Sequence, residues 1–446
     1  MFDINSDRRR AVKRAPIELG RLTWGNRYSG AGNALLYTFY FAGLLLQTGA
    51  FVLQLSGRDL RLPVAADWGS PVSQFLFAVI YVVSILLLMS SGRAGALLAR
   101  AWPILLLPIL ALASSLWSPD PLLTLRRGTA FLGTVLFGLS LASRYSLDTF
   151  VPLFVRVCAA SMLLSLVCAI ALPYYGVHQS TDAIQFAHAG LWRGVFAHRT
   201  ILGYMAGLAF ALILVYGRPV FKSRTIQYTA LVVSIVCLVK AASGAGYLTA
   251  ILVPLIVLLS LGFRRLPSEF RSAALTAFLV LTGVFSLFLN DLLEWVLSLL
   301  GKDPDLTGRV PYWQYIYELA WTQSPVFGLG YYAGFAVLLG PLIEDVTSLA
   351  HIGPHNGFLE IFVAFGLIGI IAAAILIGWL FWQALKLAAY GTHGPKTLNM
   401  FSIAMLMFVL GHNVVESTII APNNTILVLL SALAGLTALE NSRRRS

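Results

Sequence analysis

In the stretch HIGPHNGFLEIFVAFGLIGI (residues 351–370), four groups able to do chemistry stand at the head of a long apolar run: His351, His355, Asn356 and Glu360. An imidazole is the side chain best suited to exchange a proton near neutral pH. Pro354 suits the first turn of a helix, so the spacing predicts a helix from about His355. Free N–H groups and the dipole at that end favour an anion nearby. The same field is unfavourable to a second positive charge, so a neutral His355 is expected to accept a proton. Gly366 and Gly369 are expected to let another helix pack closely further down. A second set of side chains suits phosphate: Arg126, Arg127, Arg199, Arg309 and Lys240, with His198 beside Arg199. Guanidinium forks bind phosphate oxygens through paired hydrogen bonds, so several on one side make an anion site. The competing readings are plain. A single arginine near a helix end can be snorkelling, and the two histidines can be interfacial polar residues with no chemistry.

The elements that must position these groups are membrane helices. The chain has 446 residues, of which 58% are hydrophobic and 11% charged, against roughly 25% charged in an average soluble domain. Many of its apolar runs approach the ~20 residues that cross a bilayer. Twelve spans are expected, near 32–55, 72–90, 101–117, 128–143, 151–174, 200–216, 226–240, 246–262, 271–290, 357–385, 399–414 and 424–440. Unpaired backbone groups cannot face lipid, so the spans should be helices and the fold all-α. A basic tail (1–31) precedes this single domain (32–440), and a short tail (441–446) follows it.

The net charge of +12 is distributed as a topology signal. With the N-terminus inside, 21 of the 31 Lys/Arg fall on inner segments, nine on outer ones, and Arg156 lies within a span. That asymmetry puts both termini in the cytoplasm and argues against a nucleic-acid partner. The nine outer cations are Arg58, Arg61, Arg126, Arg127, Arg193, Arg199, Lys240, Lys302 and Arg309. Cys158, Cys168 and Cys237 all fall in apolar runs, without metal-ligand spacing. One outer connection dominates, at residues 291–355, far longer than ordinary loops. Within it, PYWQYIYELAW (311–321) places Trp313, Ile316, Leu319 and Ala320 at helical spacing, as in a helix lying at the membrane surface.

These residues are similar to a known signature. HNGFLEIFVAFGLIG (355–369) reads His-Asn, nine residues, Gly, two residues, Gly, and resembles the O-antigen ligase and polysaccharide polymerase superfamily. Five other pieces occur in that family's order: WSPDPLLTLRRG (117–128), GVFAHRTILG (194–203), SGAGYLTA (243–250), TGRVPYW (307–313) and SPVFGLGYYAGF (324–335). The resemblance implies a GT-C-like membrane glycosyltransferase with about twelve helices, set in a bacterial inner membrane with its site facing the periplasm. Such enzymes take a glycan from an undecaprenyl-diphosphate carrier and join it to a saccharide hydroxyl, with no cofactor or metal. By motif, His355 would activate the acceptor hydroxyl, and Arg199 and Arg309 would bind the diphosphate, with Arg126 and Arg127 as further candidates.

Two departures stand out. Thr200 sits where relatives often have Asn, and Gly244 follows Ser243 where they tend to have Arg or Ser, so the anion site should lean more on Lys240. The TLRRG…RYS region resembles the exopolysaccharide-production branch, which favours a repeat-unit polymerase over a ligase acting on lipid A-core. Chain-length regulator and flippase proteins are the partners this implies, besides membrane lipids. A lipid-linked-oligosaccharide flippase or transporter is the competing class. Internal repeats and mid-membrane broken helices would mark it, and neither is evident in the sequence. A pure scaffold is disfavoured by Arg156, Glu360 and Glu416 in or beside spans.

Overall fold

The computed structural model describes residues 30–56, 60, 70–182, 186–274, 276–278, 280–281, 309–342, 353–390 and 396–443. Arg58, Arg61, Lys302, His351, both chain ends and much of the 291–355 connection lie outside them. Two units are distinguished: Met1–Tyr40, helical over its described part, and Phe41–Ser446, which carries the candidate site.

The described residues form helices and no strand, with one isolated bridge between Val177 and Trp192. The main helices are α1 (Gly30–Gln47), α2 (Pro71–Met89), α3 (Pro121–Arg144), α4 (Leu147–Ala171), α5 (Arg199–Val220) and α6 (Arg224–Ala241), followed by α7 (Gly244–Phe263), α8 (Arg309–Gln323), α9 (Gly357–Tyr390), α10 (Lys396–Val415) and α11 (Thr425–Arg443). Eight of these are long and apolar enough to cross a membrane, or nine spans if Ala94–Arg100 and Trp102–Leu116, bent by 82°, form one. The shortfall from twelve has local reasons. Helix α1 carries Asn33, Thr38 and Gln47 within 18 residues, and the apolar part of α10 is short, Leu398–Val414. The expected span 271–290 runs past the described residues.

Caps set the helix starts. Asp120 accepts from the Leu123 N–H (3.0 Å) and Pro121 follows, so α3 begins seven residues before the predicted 128. That takes Arg126 and Arg127 into the helix itself. Outward faces are apolar: on α2, Phe75, Val79, Val82, Leu86 and Met89 are all exposed at helical spacing, a stripe suited to lipid rather than water.

Inside, small residues set the spacing. A Cβ at Gly207 would come 2.1 Å from the Gly246 carbonyl oxygen, and one at Gly203 would come 2.2 Å from Ser243 Cβ. The motifs ending in Gly203 and beginning at Ser243 are therefore the two sides of one close helix crossing. At one end of the bundle, arginines close other helix ends: Arg144 donates to the Leu87 carbonyl and Arg156 to that of Val220. Both complement the negative end of a helix.

Helix α9 is not continuous. Gly366 has φ 59° and ψ −150°, a break in its middle. The segment 325–330 fills it: Leu329 and Gly330 donate to the carbonyls of Val363 and Ala364, while Leu367 and Ile368 donate to those of Pro325 and Val326. A Cβ at Gly366 would lie 2.5 Å from the Val326 carbonyl carbon. Gly366 thus admits a backbone strap where a second helix was expected, and a Cβ at Gly369 would meet Phe365 of its own helix at 2.4 Å. The absence of broken helices expected from the sequence does not hold.

Candidate active site

His355 sits in the turn before α9, with a left-handed backbone (φ 47°). The helix starts at Gly357, two residues later than predicted. Asn356, rather than Pro354, makes the start: its Oδ1 accepts from the N–H groups of Phe358 (3.0 Å) and Leu359 (3.1 Å). An Asn side chain in that position satisfies two helix donors that nothing else would pair.

The His355 Nδ1 lies 3.2 Å from Glu416 Oε2, and its side chain is 41% exposed. Glu416 reaches it from the turn after α10, which Asn413 shapes. Asn413 Oδ1 accepts from the Thr418 and Ile419 N–H groups, and its amide donates to the Val409 carbonyl. A Cβ on Gly357 would come 2.3 Å from Asn413 Oδ1, so only glycine lets the two turns nest. A carboxylate at Nδ1 holds the proton there and leaves Nε2 as the acceptor of the ring. Glu360 stands in the first turn of α9.

The segment between α4 and α5 brings a second group. His198 caps α5, its Nδ1 accepting from the Thr200 N–H at 3.1 Å. Its ring lies 5.4 Å from that of His178 and 5.2 Å from that of His188. Burial, then His188 and Arg199, push His198 down to about 4, while Glu416 pulls the other way. His198 is therefore an uncharged ring at neutral pH, close enough to Glu416 and His355 to feel both.

Arg193 is buried and structural. It pairs with Asp182 at 2.8 Å and donates to the carbonyls of Tyr174 and Tyr175. His178 Nε2 accepts the Arg199 backbone N–H at 3.2 Å, which leaves the ring proton on Nδ1, facing Asp182 at 3.4 Å. Burial and the charge of Arg193 hold His178 well below the ordinary histidine range, despite the carboxylate beside it. Arg193 already takes up that carboxylate.

Of the expected anion-binding residues, Arg199 starts α5 with Nη1 donating to the Ala242 carbonyl at the end of α6 (2.9 Å). Lys240, exposed in the last turn of α6, lies 5.9 Å from the centre of the Trp192 ring. Arg126 is exposed on α3. Arg127 lies over the Tyr332 ring at 4.2 Å and donates to its hydroxyl, which ties it to the 324–335 piece. Arg309 opens α8, and its side chain lies outside the described atoms. One turn on, Trp313 Nε1 donates to the Pro354 carbonyl at 2.7 Å, so the start of α8 is held against the turn that carries His355. Among the described residues, no group of three or more His, Cys, Asp or Glu side chains is placed to hold a metal ion.

Residues 229–374 match the family model described as O-antigen ligase, a window that holds Arg309, His355 and Gly366. Over that window the chain is similar to the O-antigen ligase family. It is also 28% identical over 352 residues to "Exopolysaccharide production protein ExoQ" of Rhizobium meliloti (strain 1021), covering 75% of this chain and 77% of that protein. The family match ends before Glu416, the residue nearest His355 in the described site. In the sequence, Glu416 is marked only as a costly charge beside a span. The turn shaped by Asn413 brings it to His355.

Proposed function

We propose that this ligase/polymerase-like membrane enzyme transfers a glycan from an undecaprenyl-diphosphate carrier to a saccharide hydroxyl, as a repeat-unit polymerase of exopolysaccharide type. The observation that carries the reading is the His355–Glu416 pair, with His198 close enough to sense both charges. In this reading His355 Nε2 takes the proton of the acceptor hydroxyl, whose oxygen bonds to the anomeric carbon as the bond to the diphosphate breaks. Glu416 stabilises the imidazolium that forms. Arg199 and Arg309 neutralise the departing diphosphate, the electrostatic term such chemistry needs, with Arg126, Arg127 and Lys240 as weaker contributors. The site faces the periplasm of a bacterial inner membrane, in a chain of about twelve spans with the 291–355 loop outside.

The polymerase reading draws support from the exopolysaccharide name of the R. meliloti relative, and the family description favours ligation to lipid A-core as the second reading. Like the bent pair Ala94–Arg100 and Trp102–Leu116, the broken helix α9 is a feature a transporter would share. Its break is stitched by backbone, however, and the titratable groups gather at the helix ends instead of beside Gly366. The test is to incubate the purified protein with undecaprenyl-diphosphate oligosaccharide, with and without lipid A-core. A ladder of longer lipid-linked glycans is expected. Transfer only to core makes it a ligase, and no glycosidic product in either arm overturns the reading.

A further inference from the structure

Beside His355, between α8 and the head of α9, lies an open groove of about 330 Å³ lined by Trp313, Gln314, Tyr317, Asn356, Phe358 and Leu359. We propose that this groove is a subsite for the acceptor saccharide, an inference that rests on the transfer reading above and deepens it. Its size falls within the range of ligand pockets, about 300–1,000 Å³.

Its walls are aromatic and held in place. The Trp313 indole is pinned by its bond to the Pro354 carbonyl. Tyr317 stacks on Phe362 at 5.2 Å and lies tilted against Trp321 at 5.7 Å, yet stays 45% exposed. Rings fixed in this way offer contact area at little cost in side-chain entropy.

Between the rings stand two amides. Asn356 spends its Oδ1 on the helix cap, which presents its NH2 as a donor, and the exposed Gln314 offers both a donor and an acceptor. A ligand that suits flat apolar walls rimmed by neutral donors and acceptors has C–H faces and a border of hydroxyls. A pyranose has both. The diphosphate fits poorly, because none of the six lining residues is charged. A polyprenyl tail also fits poorly, because it would strip water from both amides and pair with neither. Asn356 follows His355 in the chain, so the groove adjoins the turn that carries the imidazole.

The experiment uses the full chain in detergent. The probe is the free oligosaccharide released by mild acid from the lipid-linked substrate and reduced to its alditol, with undecaprenyl phosphate titrated separately. Calorimetry gives Kd, and the transfer assay gives KM and kcat for the acceptor. Tyr317→Ala should weaken saccharide binding about tenfold or more and raise KM with little change in kcat. Tyr317→Phe should keep near-normal binding. Gln314→Ala, at an exposed position where folding is not at stake, should cost about two- to tenfold, the worth of one neutral hydrogen bond. Affinity for undecaprenyl phosphate should not change in any of them.

Three outcomes overturn the groove assignment: no saccharide binding by the wild type, unchanged Kd and KM in both alanine variants, or loss of undecaprenyl phosphate binding in their place. The last would make it a lipid groove. Glycan extension by the wild type with variants unaffected sinks the groove and leaves the transfer reading standing. Saccharide binding that depends on Tyr317 and Gln314, with no transfer at all, does the reverse.

Discussion

At the scale of the residue, His355 and Glu416 carry the argument, and only one of them was legible in the sequence. His355 stood out because an imidazole at the head of an apolar run has few structural uses. Glu416, 61 residues on, had no motif around it, and nothing in local spacing says that two turns will nest through Gly357 and Asn413. Arg193, one of the nine outer cations, is buried against Asp182. Charge alone does not tell a ligand-binding arginine from one that holds a loop together. The pair makes a sharp expectation. His355→Gln keeps hydrogen-bonding capacity and loses basicity, so if Nε2 is the base, turnover should fall by about 10²–10⁴-fold. Glu416→Gln keeps size and loses charge, and should cost about tenfold or more by leaving the imidazolium unsupported. Single-turnover rates with saturating donor would measure both. Near-normal turnover in His355→Gln would move the proton to another group, with Glu360 the first to test.

At the scale of the element, helix existence was legible and helix detail was not. Periodicity located α2, α5, α6, α7 and the helix over 309–323, because long apolar or amphipathic patterns leave few alternatives. The start of α3 was missed because a capping residue, Asp120, outranked the apolar boundary. The break at Gly366 was invisible, since a glycine in an apolar run reads equally as a packing notch. Its requirement for glycine can be measured. Alanine at 366 must adopt φ near 59° and place its Cβ 2.5 Å from the backbone of Val326, so Gly366→Ala should destabilise by more than about 2 kcal/mol. Gly378 lies in the same helix with nothing within 4 Å of a Cβ, and Gly378→Ala should be neutral or slightly stabilising. Thermal midpoints of the two variants in one detergent would check this. Equal midpoints would show that the strap does not depend on the break.

For the whole molecule, the separated sequence pieces turn out to be spatial pairs. The 117–128 piece meets 324–335, where Thr124 donates to the Tyr331 carbonyl and Arg127 lies on Tyr332. The 194–203 piece meets 243–250 at the glycine crossing, and 324–330 lies in the break of 355–369. Their order along the chain was readable, and their pairing was not, because it depends on which helices are neighbours. The sidedness expected from the charge distribution is testable. Single cysteines at 198, 309 and 355 should react with an impermeant maleimide in intact spheroplasts, while those at 218, 264 and 444 should react only after lysis. The native Cys158, Cys168 and Cys237 are buried and should give little background. A cysteine at 309 that labels only after lysis would overturn the functional reading. The strap in α9 bears also on how the chain is made. Carbonyls freed by a broken helix are costly in hydrocarbon unless something pairs with them, and here the partners are residues 325–330. Those residues leave the ribosome about 40 residues ahead of the break. The partner for α9 has therefore already been synthesised when that helix meets the lipid, and a nascent chain lacking it would present an insertion intermediate for quality-control proteases to recognise.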